Sequence, residues 1–177
     1  LICKSLIDTL SKYKSIVIVT HVNPDGDAMG SSLAFYLFLK KLGKNSKVII
    51  PNDYPNFLSW MPYINDVLIF DKNQDDAKNV MYKADLFCYL DFNTESRTGL
   101  MHNDLCHLNK IPRILIDHHL GPDISKFDVC LSETEISSTS ELVAEIIRYQ
   151  GFEEYLDNNI ASCILTGMIT DTGSFTH

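Results

Sequence analysis

The sequence contains no apolar run approaching the ~18 residues that a membrane-crossing helix requires, so no membrane span is expected. No basic segment followed by an apolar core opens the chain at Leu1-Ile2-Cys3-Lys4, and no secretion signal is read there. Positive charge is scarce: 15 Lys and Arg against 23 Asp and Glu leave a net charge of −8. That is the wrong sign for a protein that grips long nucleic acid by its phosphates. A phosphate ligand would have to be held by local positive charge, which bound metal could supply. Cysteine pairing is missing as well. Cys3, Cys88, Cys106, Cys130 and Cys163 form no CxxC pair and are odd in number, and Cys88, Cys130 and Cys163 lie in apolar stretches. This argues against a zinc finger and favours free thiols in a reducing cytoplasm. Repeats, low-complexity tracts and flexible linkers are absent, and 177 residues suit one domain or one and a half.

What is present is an alternation of short apolar runs with amphipathic stretches. Leu1 to Tyr13 places Ile2, Leu6, Ile7 and Leu10 on one helical face. Ser15 to Thr20 is a β-branched run suited to a strand buried on both faces. A helix is expected from about Ala28 to Leu42, stopped by Gly43, and strands at Lys47 to Ile50 and Val67 to Phe70. A helix at Asp75 to Lys83 and strands at Asp85 to Leu90 and Arg113 to Ile116 follow. Ser138-Thr139-Ser140-Glu141 reads as a capping box opening a helix from Leu142 to Tyr149, ended by Gly151. A last helix spans about Leu156 to Thr170. Strands separated by helices imply an α/β fold: a mostly parallel sheet with helices on both faces.

In such sheets ligands bind beyond the carboxyl ends of the strands. Four segments deliver Asp and His there: His21-Val22-Asn23-Pro24-Asp25-Gly26-Asp27, then Asp91, then Asp117-His118-His119, and Asp171-Thr172-Gly173-Ser174-Phe175. Each has an ordinary reading. Asp25-Gly26-Asp27 could be a turn and helix cap, Asp91 could cap a turn, a His-His pair is commonly structural, and Asp171-Thr172-Gly173 could end a helix. Together, Asp25, Asp27, Asp91 and Asp171 at one edge would repel one another unless cations neutralised them, and two divalent ions balance four carboxylates. An oxygen-rich set with imidazole and no thiolate suits Mn²⁺ or Mg²⁺, with Co²⁺ or Zn²⁺ as further occupants. A calcium loop fits poorly, because Met29 and Tyr36 stand where later oxygen ligands should be. In an aspartyl-phosphate phosphatase the nucleophilic Asp would follow the strand directly, where His21 stands here.

His21-x-Asn23-Pro24-Asp25-x-Asp27-Ala28-x-Gly30-Ser31 resembles the first motif of DHH-family phosphoesterases, and Asp91 resembles the isolated aspartate of the second. Asp117-His118-His119 resembles the signature that names the family, and Asp171-Thr172-Gly173-Ser174-Phe175 its fourth motif. The match runs in family order from His21 to Phe175. The Asn-Pro-Asp-Gly-Asp form resembles the nanoRNase/pAp phosphatase branch. RecJ-type exonucleases, family II inorganic pyrophosphatases and cyclic-dinucleotide phosphodiesterases are related alternatives.

The resemblance implies a metal-dependent phosphoesterase acting on short oligonucleotides or on 3′-phosphoadenosine 5′-phosphate through two divalent cations, Mn²⁺ foremost. It implies His21 and Asp25 on one metal, Asp27 and His118 on the other, Asp91 bridging both and Asp171 completing the cage. His119 would act on a phosphate oxygen or the leaving group, and His119 and the bridging Asp91 would be the catalytic residues. Asp117 either orients the imidazoles or ends its strand, and Arg97 is either a phosphate contact or a solvated surface side chain. Residues 1–177 are expected to form the DHH catalytic domain, followed in the family by a substrate-binding DHHA1 domain that lies beyond this sequence. The resemblance also leaves room for a homodimer. A degenerate, non-catalytic metal or nucleotide module should have lost ligands, and here every position is filled. His102, His107 and His177 match no motif and are placed outside the site.

Overall fold

The computed structural model describes residues 2–149 and 151–176, so Leu1, Gln150 and His177 lie outside it. The five strands read from the sequence are β1 (Ser15–Val19), β2 (Asn45–Ile50), β3 (Leu68–Ile69), β4 (Leu86–Leu90) and β5 (Arg113–Asp117). A sixth, β6 (Val129–Ser132), was not expected. They form one sheet of order β3-β2-β1-β4-β5-β6, with every neighbouring pair parallel.

Side chains alternate across β1 because its period is two. Ile16 and Ile18 enter one core, built with α1 (Ile2–Lys12), α2 (Gly26–Lys41), α5 (Thr139–Tyr149) and α6 (Asn158–Asp171). Val17 and Val19 enter a second core with α3 (Gln74–Met81) and α4 (Met101–His107). Helices thus cover both faces, as the unbroken apolar character of β1 requires. α2 packs on β1, β2 and β4 and on α5 and α6, and buries every residue from Gly26 to Leu39, which accounts for the apolar run Leu33-Ala34-Phe35-Tyr36-Leu37-Phe38-Leu39.

Several boundaries move, for local reasons. α2 begins at Gly26 rather than Ala28 because Asp25 caps it, one carboxylate oxygen accepting from the Asp27 and Ala28 amides. α6 begins at Asn158 under an Asp157 cap, not at Leu156, and α3 stops at Met81, short of Lys83. α5 opens at Thr139 rather than Leu142. Ser138 Oγ does accept from the Glu141 amide at 3.1 Å. The Glu141 carboxylate, however, reaches the amide and hydroxyl of Ser137, so the reciprocal half of the capping box falls one residue early.

Two glycines set how closely the helices approach. A Cβ on Gly30 would lie 2.6 Å from the Cys163 carbonyl, so α6 packs on α2 at a spacing only glycine allows. A Cβ on Gly167 would strike the Ser140 side chain and come within 2.6 Å of Asp27 Oδ1. The same close packing therefore shapes the site.

β1 and β4 are adjacent, and the chain leaves them toward opposite edges of the sheet, which makes their carboxyl ends the topological switch point. Register places Val19 beside Tyr89, and Leu90 beside Ile116. His21, Asp91 and Asp117-His118-His119 consequently emerge at one level.

Candidate metal centre

Each candidate residue is aimed by its own backbone. His21 follows β1, and its Nδ1 lies 2.8 Å from the Val22 carbonyl, which places a ring proton there and turns Nε2 into the site. Nε2 faces Asp25 Oδ2 at 3.9 Å and Asp91 Oδ2 at 3.5 Å. Asp25 uses Oδ1 to cap α2, so its Oδ2 is the oxygen left to face His21.

Asp91 leaves β4 with φ of 68°, a left-handed conformation that Asp tolerates better than most residues. Its carboxylate is buried and faces two ways. Oδ2 looks to His21, while Oδ1 accepts from Thr139 Oγ1 at 2.9 Å and lies 3.6 Å from His118 Nε2. His118 Nε2 also stands 3.8 Å from Asp27 Oδ2 and 3.5 Å from Asp171 Oδ2, at the end of α6. Asp27, on the first turn of α2, has both oxygens held by the N-terminus of α5: Oδ1 accepts from Ser140 N at 2.8 Å and Oδ2 from Thr139 N at 2.7 Å.

All six residues singled out as metal ligands thus converge in two groups: His21, Asp25 and Asp91, and Asp27, His118 and Asp171, with Asp91 reaching both. The separations are too long for hydrogen bonds and suit side chains that share an ion at ligand distances of about 2.0–2.2 Å. Four carboxylates brought together beside two imidazoles repel one another unless positive charge lies among them. The chemistry of the donors therefore fits divalent metal.

The electrostatics agree. Burial, then the charges of Asp27 and Asp25, pushes the Asp91 carboxyl well above the usual carboxylate range, with Thr139 and His119 opposing. Asp171 is also raised, first by burial and then by Asp27, against His118. His119 is raised by its 2.7 Å hydrogen bond to Asp117, with burial opposing; the charges of Asp117 and Asp91 add to the rise, and that of Arg97 opposes it. Asp117 ends β5 and also orients an imidazole, but only that of His119.

Sequence reading had not identified Thr139 and Ser140 as the groups holding Asp27 and Asp91. Arg97 is half-buried, and its carbonyl accepts from the Val22 amide at 2.7 Å, tying its turn to the loop that carries His21. His107 stays apart from the centre and bonds the Asn103 carbonyl.

Residues 15–168 match the DHH family, N-terminal domain. The chain belongs to the DHH family. Among relatives, it is 32% identical over 161 residues to the bifunctional oligoribonuclease and PAP phosphatase NrnA of Thermus thermophilus, aligning 90% of this chain with 44% of that protein. The crystal structure of an exopolyphosphatase-related protein from Bacteroides fragilis matches with a TM-score of 0.94 at 43% identity, covering 99% of this chain and 51% of that one. Exonuclease RecJ bound to manganese shares the DHH fold, with a TM-score of 0.55 at 15% identity over 97% of this chain and 43% of that one. The chain spans about half the length of these relatives. Among the described residues, no helix is long and apolar enough to cross a membrane.

Proposed function

We propose that this chain is the catalytic half of a metal-dependent phosphoesterase that hydrolyses short oligonucleotides, 3′-phosphoadenosine 5′-phosphate, or both. The observation that carries this reading is the Asp91 carboxylate, whose two oxygens face two separate groups of ligands. His21 and Asp25 would hold one divalent cation and Asp27, His118 and Asp171 the other, with Asp91 within reach of both groups. The oxygen and imidazole donors favour Mn²⁺, with Mg²⁺ or Co²⁺ as alternatives, and manganese is the metal of the RecJ structure. When bound, such ions neutralise the carboxylates, polarise a phosphate and lower the pKa of water.

The chain's own groups do the remaining work. Asp27 is kept rigid by the amides of Thr139 and Ser140, so its half of the cage is preorganised. Asp117 keeps the His119 proton on Nδ1 and leaves the far nitrogen to face substrate. With its pKa raised, His119 is more readily charged, which suits it to donate to a phosphate oxygen or to protonate the leaving group. Arg97 adds positive charge beside it.

Substrate orientation is the weaker part. A net charge of −8 leaves this half with few contacts for a nucleotide. Positioning contributes roughly 7–11 kcal/mol to well-oriented reactions. We assign it to a DHHA1 domain in the remaining length that the relatives have. The test compares this chain, alone and joined to such a domain, on 3′-phosphoadenosine 5′-phosphate, short RNA and a p-nitrophenyl phosphodiester at saturating Mn²⁺. Mn²⁺-dependent hydrolysis that the joined domain raises far more on nucleotides than on the generic ester is expected. No metal-dependent hydrolysis of any of the three would refute the reading.

A further inference from the structure

A second cluster of metal-ligating side chains lies on the other face of the sheet. Glu95, from the 3₁₀ turn Glu95–Thr98 after β4, meets His102 and Cys106 of α4, with one donor atom from each within 4.8 Å of the others. His102 and Cys106 are four residues apart and so share one helical face. It is remote from the first centre: the Glu95 carboxylate meets Arg113, which opens β5, whereas Asp117-His118-His119 stand at that strand's far end.

The three donors lie close enough to share one ion. His102 Nε2 and Nδ1 stand 3.6 and 3.9 Å from Cys106 Sγ, so the ring lies side-on to the sulfur, and Glu95 Oε2 stands 4.0 Å from the same sulfur. A turn of the imidazole aims Nε2 at an ion held by the sulfur, as tetrahedral zinc with Zn–S of about 2.3 Å and Zn–N of about 2.05 Å requires. The carboxylate is already oriented. Glu95 is nine-tenths buried, and its Oε1 accepts from Arg113 Nη1 and from Tyr89 Oη at 2.8 Å. Among the described residues, Oε2 has only the weak thiol donor and is left facing His102 and Cys106. Neighbours that fix one carboxylate oxygen and leave the other free are how proteins aim a metal ligand. Cys106 is exposed beside a cavity of about 300 Å³ lined by Glu95, Asn109, Arg113 and Lys126, so an ion and a completing water have access.

We propose that Glu95, His102 and Cys106 form a second cation site for a borderline-soft divalent ion such as zinc. The mixed oxygen, nitrogen and sulfur set selects against Mn²⁺ and Mg²⁺, which separates this site from the carboxylate centre by chemistry as well as position. Its occupant ties the Glu95–Thr98 turn to α4. Through the Arg97 carbonyl and the Val22 amide, that turn also braces the loop carrying His21.

The experiment is a Cd²⁺ titration of the protein in excess Mg²⁺, followed by the thiolate-to-cadmium charge-transfer absorption, which carboxylate and imidazole ligands do not produce. Wild type should develop the band to saturation at one equivalent, and Cys106→Ser should lack it. The isosteric Glu95→Gln, and His102→Gln, which removes the imidazole, should each need roughly tenfold more Cd²⁺ or beyond for half-saturation. A wild-type protein without the band, or a Cys106→Ser variant that retains it, would overturn the proposal. So would unchanged half-saturation in both glutamine variants.

Discussion

Asp117 Oδ1 lies 2.7 Å from His119 Nδ1, and this bond gives the two adjacent histidines different surroundings. His118 turns its Nε2 toward Asp27, Asp91 and Asp171, whereas His119 is pinned by its neighbour two residues back. Asp117→Asn should therefore leave metal affinity near wild type while lowering kcat by roughly 10–100-fold, the usual cost of losing an orienting partner. The alkaline side of the pH–rate profile should sharpen the reading. Asp117 raises the pKa of His119, so in the variant the loss of protonated His119 should set in at lower pH. Hydrolysis rates across pH, beside calorimetric Mn²⁺ titration, check both. A variant that loses metal binding in step with activity would contradict this division.

His118→Ala and His119→Ala should likewise part company. His118 meets three carboxylates of the cage, so its removal should weaken Mn²⁺ binding by roughly 10–100-fold. His119→Ala should bind Mn²⁺ nearly as wild type and fail in turnover. Calorimetric titration of the two variants decides, and equal losses of affinity would collapse the distinction.

In the metal-free protein the cage should cost stability at neutral pH. Asp91 and Asp171 have folded pKa values above their ordinary ones. A group raised on folding stabilises fully below its unfolded pKa, and that contribution is lost as pH rises through the folded value. With chelator present, Asp91→Asn should therefore melt above wild type at neutral pH, its advantage shrinking as pH falls toward the ordinary carboxylate range. Added Mn²⁺ should reverse the order. Thermal melts with chelator and with Mn²⁺ measure this, and a wild type that stays the more stable at neutral pH in chelator would count against the crowding of charge described here.

Much of the convergence was legible because the residues that meet there sit in fixed relation to the strand ends. His21, Asp91 and His118 each follow a continuous apolar run, and a parallel sheet brings such positions to one edge. β6 was missed because Val129–Ser132 is a short, half-buried edge strand reached from β5 through a 3₁₀ turn rather than a helix. α4 was missed because Met101 and Leu105 are its two buried residues within an otherwise polar stretch, too few for a periodic signal. Missing α4 also hid the pairing of His102 with Cys106, which only a helix brings together. Thr139 and Ser140 were read purely as a helix start. The same exposed amides that need a cap also form an anion site, and the carboxylate they hold comes from Asp27, more than a hundred residues away in sequence.

The measurement that bears most directly on the shared role of Asp91 is a count of bound Mn²⁺ by electron paramagnetic resonance, in wild type and in Asp91→Asn. Asparagine keeps an oxygen for Thr139 but surrenders the charge that both groups of ligands face. Wild type should hold two Mn²⁺ per chain, close enough for their spins to couple, as expected for ions about 3.5–4 Å apart. Asp91→Asn should hold no more than one at the same free Mn²⁺, without coupling, and should lose hydrolysis. A wild-type chain that binds no Mn²⁺ or a single uncoupled ion, or a variant that keeps the coupled pair, would contradict a centre built on Asp91.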